Sequence, residues 1–403
     1  MVDIQLLESE DDLFAAGTLF RTAMVGLPFP PLQRSEISTI FEPGRTYGAF
    51  VDGELVGTTN SYSGALTVPG GRAVPQAAVT HVGVLPGYTR RGISRALAQR
   101  QLADARERGE AFASLRASDG RIYGNFGYGV ASFGTSIEVE REKAELIAPA
   151  PSPADIRLVD AASAWDLQAR IYRDHSPARP GTITRSPYWW DFQKYKLGLS
   201  RGPSYVAVHG PAGGEDGYVR YHPTGLDDWF VSSQRTIVVD DLVARSHDTY
   251  LALTSHLLRL DLPHRIVFAN RPADDPLFWL FHDPRAARLT AQREETWLRI
   301  TDVEQALSSR TYGHAEPVVL AVDDALLPEN TRTIRLSSQS VEPSNERPQA
   351  KVDIGSLAAA YLGAAKWWQL RQAGRVRAED AEVIGRLDAL FGAPVQPHSG
   401  TMF

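Results

Sequence analysis

Hydrophobic and polar positions alternate in short runs along the first part of the chain, a pattern that predicts a mixed sheet with helices. Two apolar runs, residues 47–51 and 54–57, flank Asp52-Gly53, which is typical of a two-residue hairpin turn. The helical period at 92–108 predicts a helix that crosses between two strands. The remaining patterns of this region predict a helix at 12–24 and strands at 65–68, 79–84 and 111–115.

The same coarse order of elements recurs from about residue 155 to 300, which suggests an internal duplication. Between the two regions, residues 148–154 alternate proline with small residues and form the best linker candidate. A third region, from about 301, has an apolar strand at 318–322 and a hydrophobic segment at 352–363. The elements predicted for the second region are helices at 162–172 and 249–260 and strands at 205–208, 217–221 and 236–239.

Composition narrows the class of protein. The chain has 403 residues, of which 43% are hydrophobic, enough for two to three folded domains. A net charge of -6 with scattered Lys and Arg gives no reason to expect nucleic-acid binding, and zero cysteines exclude a thiol nucleophile and a disulfide scaffold. Residues 1–12 contain no Lys or Arg and no apolar run reaches transmembrane length, so we expect a cytoplasmic protein without membrane association.

The segment 82–94 has the pattern of a phosphate-binding turn. It is a strand, then a turn containing glycine, then the start of a helix with Arg90 and Arg91 just before Gly92. A helix N-terminus offers unpaired backbone N–H groups and partial positive charge, and glycine allows close approach of an anion. The strand before the turn would present backbone groups to the pantetheine arm of an acyl-coenzyme A. At the matching position of the second region, glycine is missing and Asp240 and Asp241 would repel a pyrophosphate, so one cofactor site is predicted.

A second motif, at residues 116–129, indicates a smaller group of proteins than the first motif does alone. It reads Arg-Ala-Ser-Asp-Gly-Arg-Ile-Tyr-Gly-Asn-Phe-Gly-Tyr-Gly and follows the apolar run 111–115. The first motif resembles the GNAT family of acetyl-coenzyme A-dependent acetyltransferases, and the two together resemble the enhanced-intracellular-survival (Eis) acetyltransferases across nearly the whole chain. The resemblance implies a mixed α/β fold: a GNAT domain at 1–150, a degenerate GNAT domain at 151–300 and a sterol-carrier-like domain at 301–403.

The resemblance also assigns roles to residues. The Val84 N–H would hold the thioester carbonyl, Tyr123 would be the general acid, and the terminal carboxylate of Phe403 would be the general base. A phenol is protonated at neutral pH and can donate to the departing thiolate. The other residues expected to contact acetyl-coenzyme A are Val82, Gly83, Arg90, Arg91, Gly92, Ile93, Ser94, Arg95, Ser118 and Asp119.

The acceptor expected from the resemblance is an amine of an aminoglycoside or a similar polyamine, and the expected assembly is a homohexamer. Two residues depart from what the resemblance predicts. Thr89 stands where GNAT proteins commonly have Arg or Gln, and the neutral Met402 lies beside the terminal residue. Alternatives are an acyltransferase for another acyl chain or a peptide amine, and a non-catalytic lipid-binding or regulatory protein. No His-Glu-x-x-His or related ligand spacing is present in the sequence, so no catalytic metal is predicted.

Overall fold

A computed structural model describes residues 2–27, 31–149, 152–198 and 202–403. Residues 150 and 151 of the predicted linker lie outside these ranges. The helices are α1 Glu10–Ala23, α2 Ile37–Ile40, α3 Ile93–Glu107, α4 Gly120–Tyr123, α5 Trp165–His175, α6 Pro187–Gly198, α7 His247–Leu258, α8 Val303–Ser309, α9 Ile354–Tyr361, α10 Trp367–Gln372 and α11 Ala381–Phe391.

The strands include each one predicted from the alternating pattern. They are β1 Asp3–Leu7, β2 Thr46–Val51, β3 Glu54–Thr67, β4 Ala73–Val84, β5 Phe112–Leu115, β6 Gly129–Val130, β7 Phe133–Glu140, β8 Ile156–Val159, β9 Tyr205–His209, β10 Gly217–Thr224, β11 Thr236–Ala244, β12 Arg265–Pro272, β13 Ala287–Glu294, β14 Trp297–Ile300, β15 Val318–Asp323, β16 Arg332–Leu336, β17 Val341–Pro343, β18 Ala350–Asp353 and β19 Val376–Ala378.

The predicted hairpin joins β2 to β3. Asp52 and Gly53 both have positive φ, 52° and 82°, and Val51 pairs with Glu54 across the turn. A two-residue turn with positive φ at both positions matches the right-handed twist of the flanking strands. Strand β3 runs on through Asn60 and Ser61, which are buried and polar. The sequence pattern therefore missed the middle of β3, because a strand buried at polar positions does not alternate in hydrophobicity.

Three sheets organise the chain. The first is seven-stranded in the order β1-β2-β3-β4-β5-β14-β6, the second is seven-stranded in the order β13-β7-β12-β11-β10-β9-β8, and the third is five-stranded in the order β17-β16-β15-β18-β19. Strand β14 enters the first sheet although it follows the strands of the second sheet along the chain. A pattern of local hydrophobicity cannot reveal such a long-range insertion.

The structure divides into two compact units, each discontinuous along the chain. The first contains residues 1–132, 179–193 and 294–403, and the second contains residues 133–178 and 194–293. The first and third sheets therefore share one unit, whose core includes Phe112, Tyr361 and Trp367. The domain limits at residues 150 and 300 stay a prediction.

Candidate active site

The first sheet opens between two parallel strands. Strand β4 pairs with β5 only at Gln76, Ala77 and Ala78, and it then continues to Val84 paired with β3. Because the pairing with β5 ends at Ala78, the later residues of β4 are left without that neighbour, and their backbone groups on this side are available to a ligand. Val82 and Gly83 lie in this part of the strand.

The two faces of this strand end are covered differently. The Val82 side chain packs in a cluster with Ala98 and Tyr123. Gly83 faces the other way, and a Cβ built there would lie 3.0 Å from Ala23 Cβ, at the end of α1. Val84 packs beside Ile93 of α3. Tyr123 therefore belongs to the cluster that covers one face of the strand predicted to bind pantetheine.

The N-terminus of α3 lies directly after this strand and has no side-chain cap. Gly92 occupies the cap position with φ 82° and ψ 0°, and a Cβ there would meet nothing within 4 Å. The first N–H bonded within the helix is that of Ala96, to the Gly92 carbonyl at 3.0 Å. The N–H groups of Ile93, Ser94 and Arg95 consequently have no partner within the helix, as expected for its first turn.

Basic side chains surround this helix start. Arg90, Arg91 and Arg95 are exposed, and the Arg91 guanidinium carbon stands 5.1 Å from the centre of the Tyr88 ring. Exposed arginines beside open backbone N–H groups and the positive end of the helix dipole favour a phosphate group.

In the second unit, the helix that follows the matching strand, α7, is capped instead. Ser246 accepts a hydrogen bond from Thr249 N at 3.2 Å, and Asp240 pairs with His222 at 2.8 Å. The capped N-terminus and the acidic residue make this end a poor anion site.

Tyr123 is buried at 7% exposure, and its ring meets that of Tyr128 edge-on at 5.8 Å. Burial raises the pKa of Tyr123, and a hydrogen bond with Ser118 opposes this only in part. The phenol is therefore protonated at neutral pH and can act as a proton donor.

Asp119 caps the short helix α4. It accepts from Arg121 N at 2.9 Å and pairs with the Arg121 side chain at 2.7 Å. The bond from the Arg121 side chain, with that from its backbone, lowers the pKa of Asp119 to about 2. Ser118 beside it is exposed. In this structure Asp119 is thus engaged in local capping, and its predicted contact with the cofactor stays a prediction.

The C-terminal tail is bound along its backbone. His398 N donates to the Pro180 carbonyl at 2.9 Å, Arg116 Nε donates to the Thr401 carbonyl at 3.0 Å, and Trp189 Nε1 donates to the Met402 carbonyl at 2.6 Å. The Arg116 guanidinium also lies 5.6 Å from the centre of the Phe403 ring. A tail held through successive peptide groups has a defined end, in contrast to the frayed terminus of most chains.

Glu295 is the acidic centre of this docking. Its carboxylate accepts from Ser399 N at 2.9 Å and Gly400 N at 2.8 Å, and it pairs with Arg116 at 3.5 Å. Burial alone would raise the pKa of Glu295, but Arg116, the nearby His398 and hydrogen bonds lower it to about 2. The carboxylate is therefore ionised and fixed in place at neutral pH.

The glycines at the end of the second motif serve packing. A Cβ on Gly129 would lie 2.0 Å from the Gly355 carbonyl of α9, and one on Gly127 would lie 2.9 Å from Arg299 Nε. The buried Arg299 guanidinium in turn meets both carboxylate oxygens of Asp324 at 2.7 Å. This part of the motif therefore fits the first sheet against the C-terminal region.

The structure places Val82 and Tyr123 in one packed cluster at the strand opening and Gly92 with the arginines at the end of the strand. Sequence reasoning gave no role to Arg116, although it opens the second motif, and it missed Glu295 and Trp189. No sequence pattern around Glu295 indicates its role, because its partners lie far away along the chain. Among the described residues, no cluster of three or more His, Asp or Glu could hold a metal ion, and no helix is long and apolar enough to cross a membrane.

Comparison with known families identifies the class of protein. Acetyltransferase (GNAT) domain families match residues 8–131 and 181–300, and a sterol carrier protein domain family matches residues 303–400. The protein is thus a GNAT-type N-acetyltransferase with two GNAT domains and a C-terminal sterol-carrier-like domain, which confirms the predicted fold class. The N-acetyltransferase Eis of Mycobacterium tuberculosis is 31% identical over 363 residues, which cover 86% of each chain. The chain belongs to the Eis family of N-acetyltransferases.

Other relatives agree with this assignment. Eis1 from Mycobacterium abscessus is 45% identical, and its crystal structure superposes with a TM-score of 0.93 over 100% of both chains. An uncharacterized N-acetyltransferase of Streptomyces coelicolor is 35% identical over 402 residues, 94% of each chain. A GCN5-related N-acetyltransferase from Anabaena variabilis shares the fold, with a TM-score of 0.84 at 19% identity and full coverage of both chains.

Proposed function

We propose that this protein transfers the acetyl group of acetyl-coenzyme A directly to a primary amine, with the Tyr123 phenol as general acid and the terminal carboxylate of Phe403 as general base. The observation that carries the proposal is the docking of the tail. Backbone groups of His398, Ser399, Gly400, Thr401 and Met402 are each hydrogen-bonded to residues outside the tail. Ordering five residues of a terminus costs conformational entropy, and a catalytic group at its end supplies a reason for that cost.

The cofactor site fits an acyl-coenzyme A, the substrate that GNAT acetyltransferases use. The uncapped N-terminus of α3 would bind the pyrophosphate through Gly92, Ile93, Ser94 and Arg95, with Arg90 and Arg91 adding charge. The free edge of β4 would bind the pantetheine arm at Val82 and Gly83, with the Val84 N–H on the thioester carbonyl. Ser118 and Asp119 would complete the contacts.

The chemical step then follows from the two groups. The amine nitrogen attacks the thioester carbonyl carbon, the C–S bond breaks, the amine proton passes to the terminal carboxylate and the thiolate takes the Tyr123 proton. An unperturbed terminal carboxylate has a pKa of about 3.3 to 3.7, so it accepts this proton most readily once attack has made the nitrogen acidic, directly or through a water. The aminoglycoside or polyamine acceptor, the homohexamer and the cytoplasmic location stay predictions.

Extension of the tail tests the proposal. One or two glycines added after Phe403 would displace the carboxylate by about 3.3 to 3.6 Å per residue, beyond direct hydrogen-bond reach of the amine. Turnover, followed by release of free thiol from acetyl-coenzyme A, should collapse while acetyl-coenzyme A affinity measured by calorimetry stays unchanged. Full turnover in an extended, folded enzyme would show that another group is the base. Competition with longer acyl-coenzyme A thioesters distinguishes acetyl transfer from transfer of another acyl chain.

A further inference from the structure

A cavity of about 400 Å³ lies in the C-terminal region, between the end of α8 and the turn that joins β16 to β17. This volume is in the range of pockets that bind small molecules. Arg310 is the one charged side chain in its lining, which contains no acidic residue. None of the residues proposed for acetyl transfer lines the cavity, so it is a separate feature of the molecule.

The Arg310 side chain is buried at the end of three helices. Arg310 follows the last residue of α8 and is 5% exposed. Its Nε donates to the Thr311 carbonyl at 3.1 Å, and its two terminal nitrogens donate to the carbonyls of Tyr361 and Phe391, the latter at 3.0 Å. Tyr361 and Phe391 are the last residues of α9 and α11, so the guanidinium meets the negative ends of these helices.

These contacts leave the charge of Arg310 without a counter-ion. A guanidinium has five N–H groups, and the bonds to the three carbonyls use one on each nitrogen, which leaves two. No carboxylate of the described residues pairs with it, and burial lowers its pKa against only the phenols of Tyr312 and Tyr361. Both phenols are neutral at neutral pH. A buried cation with no anion is costly, and an anion in the cavity would reduce that cost.

The rest of the cavity supplies neutral hydrogen-bonding groups. The hydroxyls of Ser308 and Ser338 and the amide of Gln339 line it. The turn that carries Ser338 and Gln339 is held by a hydrogen bond from Ser340 N to Ser337 Oγ at 2.9 Å. A fixed turn places these groups before a ligand arrives, which lowers the entropic cost of binding.

Apolar side chains complete the lining. They are those of Leu307, Tyr312 and Val341. Six of the nine lining side chains are polar or charged, so a sterol, which is apolar over nearly its whole surface, does not suit this cavity. One cation, several neutral donors and a small apolar surface suit a ligand with one negative charge at one end and an apolar group at the other.

We propose that this cavity binds a small organic acid, a carboxylate carried on a short apolar or aromatic group. The two remaining N–H groups of Arg310 donate to the carboxylate, and the hydroxyls of Ser308 and Ser338 add hydrogen bonds. Leu307, Tyr312 and Val341 contact the apolar group. The inference goes beyond the proposed acetyl transfer and does not depend on it.

The experiment measures binding by calorimetry in the full-length protein, with coenzyme A in excess to fill the proposed cofactor site. Benzoate is the probe. Benzamide has nearly the same shape without the charge, and inorganic phosphate has the charge without the apolar group. We expect benzoate to bind about tenfold more tightly than either, since a hydrogen bond to a charged group is stronger than one between neutral groups.

Two isosteric variants place the bound benzoate in the cavity. Gln339→Glu adds a negative charge to the lining and should weaken benzoate binding about fivefold, less at high salt because the residue is exposed. Gln372→Glu is the matched control, an exposed residue of α10 that does not line the cavity, and it should bind benzoate as wild type does. Arg310→Gln should abolish benzoate binding and lower the melting temperature, because it removes donors from the ends of α9 and α11.

Three results would overturn the inference. Benzamide or phosphate binding as tightly as benzoate would reject an acid with an apolar group. Equal benzoate affinity in folded Gln339→Glu and Gln372→Glu would place the ligand elsewhere, and this comparison holds even if Arg310→Gln fails to fold. Absence of benzoate binding in wild type would reject the site. None of these measurements uses turnover, so each outcome leaves the proposed acetyl transfer to its own test.

Discussion

Replacing Glu295 with Gln removes the charge that holds the C-terminal tail while it keeps the shape of the side chain. The pKa of Glu295 in the folded protein is about 2, against 4.5 for an unperturbed group. Since a tenfold change in an equilibrium constant is worth about 1.4 kcal/mol, the lowered pKa stabilises the folded chain by about 3 kcal/mol at neutral pH. The side chain is only 3% exposed, so solvent screening reduces this value little.

The pH dependence has a defined sign. Because the folded pKa is lowered, the stabilisation is fully present above pH 4.5 and is lost as the pH falls toward 2. Urea unfolding of wild type and Glu295→Gln should differ by about 3 kcal/mol at pH 7, and the difference should shrink by about 1.4 kcal/mol for each pH unit below 4.5. Turnover should also fall, because Ser399 and Gly400 lose a charged acceptor, while acetyl-coenzyme A affinity should not change.

Glu294→Gln is the matched control, since it removes a neighbouring carboxylate that is exposed. This variant should stay within about 0.5 kcal/mol of wild type. A Glu295→Gln protein as stable as the control, or a stability difference that does not vary with pH, would refute the assignment of Glu295 as the anchor of the tail.

Three further changes test other parts of the site. Tyr123→Phe should lower kcat by about 10² to 10⁴ with little change in acetyl-coenzyme A affinity, and near wild-type kcat would make Tyr123 structural only. Charge reversal at Arg90 or Arg91 should weaken acetyl-coenzyme A binding more at low salt than at high salt, because both side chains are exposed, and a salt-independent loss measured by calorimetry would indicate folding damage. Asp324→Asn leaves the buried Arg299 without its charged partner and should cost about 3 to 5 kcal/mol in urea unfolding, so a cost below about 1 kcal/mol would contradict the structural role of this pair.

The parts of the protein that the sequence determined are local along the chain. Asp52-Gly53 specified its own hairpin turn, and the segment 82–94 specified a strand followed by an uncapped helix N-terminus. The resemblance carried by the motif at 116–129 specified the family and the order of the domains, which the comparisons confirm. Val82 packs against the hydrophobic cluster that contains Tyr123, and the catalytic role that the motif implied for Tyr123 stays a prediction.

Only the tertiary structure decided the contacts between distant residues. Arg116 meets Glu295 and Thr401, which follow it by more than 170 residues, and no periodicity or spacing connects them. Contacts between distant residues also bring β14 into the first sheet. They likewise require glycine at position 129, because this residue lies against the backbone of α9. A hydrophobic pattern records which face of an element is buried, whereas the partner that covers this face, and the polar groups that meet there, depend on how remote segments pack.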